Sequence, residues 1–133
     1  MICLDYNLNK NKIFLEEIDK EGIDKNKIEF LINAICPPGC PFRKNHYDLN
    51  GFFGKTYGKQ YKMRDCKITN STLYPNNYIN NFSVEDVFNY EKNGFSNFKL
   101  EGRSLNTYEV LLNYIKYMVK PEYQLVIIRY VLD

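Results

Sequence analysis

Residues 28–34, Ile28-Glu29-Phe30-Leu31-Ile32-Asn33-Ala34, form a nearly continuous apolar run of strand length. A run of this kind suits a buried parallel strand. It is followed at once by Cys36-Pro37-Pro38-Gly39-Cys40-Pro41, where prolines and a glycine stop any regular element. Working towards the N-terminus, residues 10–22 (KNKIFLEEIDKEG) carry Ile13, Leu15 and Ile18 on one side and stop at Gly22, the pattern of a short helix. Before them, residues 2–6 read as a strand that ends in the polar Asn7-Leu8-Asn9. Towards the C-terminus, residues 42–49 start a helix from the proline break, and residues 50–81 read mostly as loop, with one short strand at 66–69. Ser83 and Asp86 have the spacing of a capping box, and the helix they open stops at Gly94. Residues 97–101 form a third strand. Asn106 caps a further helix with Glu109 three residues on, its apolar side being Val110, Leu111, Tyr114, Ile115 and Met118. Pro121 sits at the first turn of a last segment, PEYQLVIIRYVLD, read as helix. Strands and helices alternate, which predicts an α/β fold with parallel strands in a single domain over residues 1–133.

Composition bounds the function. A chain of 133 residues that is 44% hydrophobic buries a core. Its formal net charge of +2 announces neither a nucleic-acid nor an acidic partner. No run is long and apolar enough to span a membrane, and MICLDYNLNK lacks the plan of a signal peptide. The expectation is a cytoplasmic protein, whose four cysteines stay reduced and serve metals or catalysis rather than disulfides. Ala occurs only at position 34 while Asn, Lys, Tyr and Ile abound, so a single Asn or Lys is weak evidence.

The chemistry gathers behind the strands. Cys36 and Cys40, on a proline-stiffened turn after residues 28–34, suit one soft-metal site, with Cys66 as a third ligand and Cys3 as a fourth. The alternative for Cys3 is a small buried hydrophobe within its strand. The C-x3-C spacing departs from the C-x2-C of most zinc ribbons and favours an iron–sulphur cluster, with zinc as the alternative. The C-x3-C-x2-C pattern fails at its third position, which is Arg43. His46, the only histidine, is a candidate ligand or proton-transfer group, set against a structural role on its helix surface. Gly54-Lys55-Thr56 is not a phosphate loop, since the required earlier glycine falls on Leu49. Around residues 55–67, Lys55, Lys59, Lys62, Arg64 and Lys67 interleave with Phe53, Tyr57 and Tyr61, which suits a nucleic-acid strand or, more plainly, a solvated loop. Finally, Lys99-Leu100-Glu101-Gly102-Arg103 sets a carboxylate and a guanidinium at a strand's end, a catalytic pair or a loop-holding ion pair.

The segments INAICPPGCPFRKNHY (32–47) and VEDVFNYEKNGFSNFKLEGRSLNTYEVLLNYIKYM (84–118) resemble the C-terminal half of the collagenase-like peptidase family, across roughly residues 28–120. Asn33-x-x-Cys36, Cys40-Pro41-x-Arg43 and Lys99-x-Glu101-Gly102-Arg103 carry the resemblance. It implies a (β/α)8 barrel and, in several members, a [4Fe–4S] cluster on four cysteines. It also implies peptidase-related activity or a part in oxygen-independent hydroxylation of ubiquinone precursors or RNA. Carried over, Cys36 and Cys40 match the cysteine-rich loop, and Lys99, Glu101, Gly102 and Arg103 match the strand-end motif.

A complete barrel of this kind takes about 200–250 residues, so the expected architecture is a half TIM-barrel-like unit. The first functional reading is an iron–sulphur protein in redox, hydroxylation or peptidase-related chemistry. In it Cys36, Cys40 and Cys66 hold the cluster, and Glu101, Arg103 and His46 act on substrate. The second is a non-catalytic module that meets nucleic acid or a partner protein through residues 55–67. Unpaired strand edges and an uncovered strand face, carrying Phe30 and Ile32 or Leu31 and Ile35, imply a homodimer or a partner that supplies the missing half.

Overall fold

The computed structural model describes residues 1–34, 36, 39–59, 81–102 and 105–132. They belong to two compact units, one of residues 1–34 with 80–133 and one of residues 35–79.

The first unit is built on three parallel strands, β1 (Ile2–Cys3), β2 (Ile28–Leu31) and β3 (Asn97–Lys99), in the order β1-β2-β3 of an open sheet. Ile2 pairs with Ile28 and Cys3 with Glu29 on one side of β2; Glu29, Phe30 and Leu31 pair with Asn97, Phe98 and Lys99 on the other. Helix α1 (Lys12–Lys20) connects the first two strands, and helix α3 (Val84–Lys92) precedes the third. Helices α4 (Thr107–Met118) and α5 (Pro121–Leu132) follow it. The expected alternation of parallel strands and helices is present, and the last segment is helical with Pro121 in its first turn.

The alternating burial of β2 explains the sheet's orientation. Ile28, Phe30 and Ile32 are buried, whereas Glu29 and Leu31 are only half-buried, because successive side chains leave a strand on opposite faces. Phe30 is fully buried and lies at the centre of an aromatic cluster, with ring centroids 5.0 Å from Phe95, 5.1 Å from Tyr90 and 5.7 Å from Phe82. The contacts to Phe95 and Tyr90 are edge-to-face, the arrangement that aligns ring quadrupoles favourably. Ile18 of α1 completes this core, with Phe14 and Leu15 packed around it. Of the two strand faces weighed from sequence, Phe30 and Ile32 therefore lie in the core. Leu31 lies on the other face, and Ile35 is outside the described residues.

The strands are shorter than their sequence signatures. Residues 2–6 yield only Ile2–Cys3, since Tyr6–Leu8 turn into a 3-10 helix started by Asp5, whose carboxylate accepts from Asn7 N. Residues 28–35 yield Ile28–Leu31, and 97–101 yield Asn97–Lys99. Single bonds extend the pairing past the strands: Leu4 N to Glu29 O and Ile32 N to Lys99 O, each 3.0 Å. Both predicted capping boxes form, Ser83 with Asp86 on α3 and Asn106 with Glu109 on α4.

The second unit contains α2 (Arg43–Tyr57). The loop expected from residue 50 onward is thus helical as far as Tyr57. No proline interrupts it, and Phe53 packs on Tyr57 one turn later at 5.3 Å, an i, i+4 contact that supports the helix across Gly51 and Gly54. Gly58, at φ +62°, ends the helix, its N–H donating to Gly54 O. The strand expected at 66–69 lies outside the described residues.

Candidate functional site

At the C-terminal ends of the strands, the first unit replaces backbone pairing with asparagine side chains. Asn9 is fully buried, and its Nδ2 donates to Leu31 O at 2.7 Å. Its carbonyl accepts from the Tyr90 hydroxyl at 2.5 Å. Asn33, 9% exposed, donates through Nδ2 to Glu101 O at 3.0 Å and accepts at Oδ1 from Glu101 N at 2.5 Å. The same Nδ2 lies 3.4 Å from Asn113 Oδ1, and Asn113 in turn donates to Glu109 O. Asn81 donates to Ala34 O at 3.0 Å. These carboxamides satisfy backbone groups that a longer ladder would otherwise pair.

The result is a fixed backbone at Glu101, the carboxylate of the Lys99-to-Arg103 motif, whose side chain is half-buried. The neighbouring Gly102 permits a close approach. A Cβ at this position would lie 3.3 Å from Val110 Cγ2, so the missing side chain lets the strand end approach α4. Arg103 lies outside the described residues.

Lys99 turns to the sheet face opposite the core. Its Nζ lies 3.4 Å from Glu29 Oε1 across the β2–β3 pair, and Cys3 lies beside Glu29 on β1. Cys3 is exposed, not the buried hydrophobe that a mid-strand position suggests, because β1 is an edge of the sheet. Partial desolvation first, and its hydrogen bond to Glu29 second, push the Cys3 thiol above its ordinary range. A thiol held protonated in this way is a poor metal ligand. The polar row of Cys3, Glu29 and Lys99 escapes a sequence reading, since only strand register brings the three together.

In the second unit, Cys36 and Cys40 are both half-buried and neither forms a disulfide. They flank Gly39, at φ +66°, in the turn that leads into α2. Cys40 O accepts from Arg43 N at 3.2 Å, which ties the turn to the first residue of the helix. The N-cap, Phe42, supplies no side-chain hydrogen bond, and the first turn holds no acidic residue but two cations, Arg43 and Lys44. The N–H groups at this helix end and the macrodipole both favour an anion. His46 is half-buried in the first turn, its N–H donating to Phe42 O at 2.9 Å. Cys66, the expected third ligand, lies outside the described residues. Among the described residues, no three of His, Cys, Asp and Glu are grouped closely enough to share a metal ion.

Of the basic–aromatic stretch at 55–67, Lys55 and Tyr57 lie on the last turns of α2 and the part from residue 60 lies outside the described residues. Phe52 and Tyr57 are 57% and 59% exposed, with ring centroids 6.5 Å apart. Among the described residues, no helix is long and apolar enough to cross a membrane. No protein-family model, curated protein or solved structure matches the chain.

Proposed function

We propose that the chain is an iron–sulphur-binding protein of the collagenase-like peptidase type, acting in redox or hydroxylation chemistry, with Cys36, Cys40 and Cys66 as cluster ligands. The observation that carries this reading is the start of α2. Two reduced thiols immediately precede a 15-residue helix whose N-terminus has no side-chain cap, no acid and two cations. Thiols are soft-metal donors, and both lie in the segment that leads into this helix. The donor set fits a cluster, because soft thiolates are its usual ligands. When bound, the cluster would supply one-electron chemistry. Arg43 and Lys44 would balance part of its negative charge, and His46 would donate or accept a proton. In the first unit, Glu101, held by Asn33 through both backbone groups, would orient substrate together with Arg103.

The finer fold reading, a segment of a (β/α)8 barrel, is compatible with the strand order β1-β2-β3, which one half of a doubly wound sheet shares. Anaerobic purification followed by iron and sulphide determination tests the function. Stoichiometric iron and sulphide with broad visible absorption is the expected result. Colourless protein with zinc, or with no metal under anaerobic reconstitution, overturns it.

A second reading rests on the exposed Phe52 and Tyr57 beside Lys55 at the end of α2. Aromatic faces next to cations stack and neutralise single-stranded nucleic acid. Salt-sensitive binding of a labelled oligonucleotide by metal-free protein, lost in the double variant Phe52→Ala, Tyr57→Ala, would favour this reading.

A further inference from the structure

Helix α5 presents an apolar surface to solvent. Leu125 is 79% exposed, Val126 64%, Tyr130 86% and Tyr123 58%. Among residues 121–131, only Gln124 and Ile128 are half-buried, and Gln124 Nε2 donates to Val119 O at 2.9 Å and Lys116 O at 3.3 Å, tying this side of α5 to the end of α4. With about 3.6 residues per turn, Glu122, Leu125, Val126 and Arg129 share one stripe, spaced i, i+3, i+4 and i+7, on the side away from Gln124. Tyr130 and Tyr123 flank that stripe. An apolar helix left uncovered in this way calls for a partner.

The stripe is complementary to itself. Its centre is apolar, its N-terminal end carries Glu122 and its C-terminal end carries Arg129. Among the described residues neither charge has an ion pair. Rotation by two-fold symmetry about the midpoint between Leu125 and Val126 sets each Glu122 against the second helix's Arg129 and each Leu125 against the second helix's Val126. A parallel pairing would instead place like charges together at both ends. The area is also sufficient. Taking roughly 150–200 Å2 for a fully exposed apolar side chain, the four side chains offer on the order of 500 Å2 per copy. With all of it buried the pair reaches about 1,000 Å2, the lower limit for a biological interface and the size of a weak, reversible one.

We propose that α5 is a homodimer interface, in which two copies pack antiparallel through the Glu122-Leu125-Val126-Arg129 stripe about a two-fold axis. This places the contact on α5 rather than on the strand edges, and it is independent of any metal. The test is sedimentation equilibrium of the full chain at 1–100 μM concentrations, about the range for a small interface, in low and moderate salt. A dimer is expected, dispersed to 15.8 kDa monomer by Leu125→Glu or Val126→Glu. Both positions are exposed, so circular dichroism should stay native. Glu122→Arg and Arg129→Glu should each weaken the dimer about tenfold, because two symmetric contacts change from attraction to repulsion. The double variant E122R/R129E should recover it. A monomer throughout the range overturns the proposal, as does a dimer indifferent to Leu125→Glu or a double charge swap that fails to restore association. A monomer that instead partitions onto phosphatidylcholine vesicles through α5 would give the face to lipid and likewise overturn it.

Discussion

Asn33 grips Glu101 at both backbone groups, donating to its carbonyl at 3.0 Å and accepting from its amide at 2.5 Å. One carboxamide thus does what two further residues of ladder would do, and it does so where β2 and β3 have already ended. Removing it leaves a part-buried donor and acceptor without partners. Asn33→Ala should therefore cost about 2–4 kcal/mol, read as a lower urea midpoint, and should speed amide exchange at Glu101. Glu16→Ala, at an exposed position of α1, should shift stability by less than about 0.5 kcal/mol. Equal effects of the two substitutions would show that Asn33 holds nothing.

The thiols should separate by position. Cys36→Ser and Cys40→Ser should each abolish metal retention after anaerobic purification, because each removes a ligand from the turn before α2. Cys3→Ser should not, because partial burial and the hydrogen bond to Glu29 raise the Cys3 thiol above its ordinary range and disfavour the thiolate that binds metal. Full iron content in both loop variants would end the cluster assignment.

These two sites differ in how far the sequence announces them. The apolar run at 28–34 and the two capping boxes were legible because a strand's burial and a helix's first turn are local properties. Asn33 was visible at a strand end, but in a chain rich in Asn nothing marked it, or Asn9, as buried and bonded to backbone. Asn113 gave no signal, since its pairing depends on how α4 packs. Residue type does not reveal which strand lies at a sheet edge, so Cys3 reads as buried although edge strand β1 leaves it exposed. Gly51 and Gly54 hide the extension of α2, and the Phe53–Tyr57 contact offsets part of their helix-breaking tendency. Lys99 and Glu101 were read from one contiguous motif, yet Lys99 pairs with Glu29 on a neighbouring strand.

Two half-buried phenols should set the alkaline limit of the fold. Tyr90 donates to Asn9 O and Tyr117 to Phe82 O, so both bridge the helices to the sheet region. Burial first, and the Asp86 carboxylate second, push each of them up to about 12 from an ordinary value of 10.0. Their protonated forms are therefore favoured by folding. Their stabilising contribution is complete below pH 10, the unfolded value, and is lost as pH climbs towards 12. Tyrosinate absorbance followed together with circular dichroism should show a fraction of the 12 tyrosines ionising only as the fold opens. Complete ionisation in a still-native protein would contradict this assignment.

Asp86 combines a helix cap with a long-range tie. Its carboxylate accepts from Ser83 N at 2.7 Å in the capping box and from Lys10 Nζ at 2.8 Å, joining α3 to the segment before α1. Burial alone would raise its pKa, but the hydrogen bonds from Lys10 and Ser83 outweigh that and hold it below the ordinary 3.8. A carboxyl lowered by folding stabilises the protein above its unfolded value, and the gain is lost as pH falls through the folded one. Asp86→Asn should cost about 1–2 kcal/mol at neutral pH, combining a weakened cap with the lost ion pair. Lys10→Met should cost less, about 0.5–1 kcal/mol, since both partners are about one-third exposed and the cap survives. In the double variant the two costs should fall short of additivity by the worth of the pair, and this shortfall should vanish well below pH 3.8, where the carboxyl is protonated. Urea unfolding of all four proteins at neutral and acid pH measures it. Strict additivity at neutral pH would show that the Lys10–Asp86 contact contributes nothing and that Asp86 acts on α3 alone.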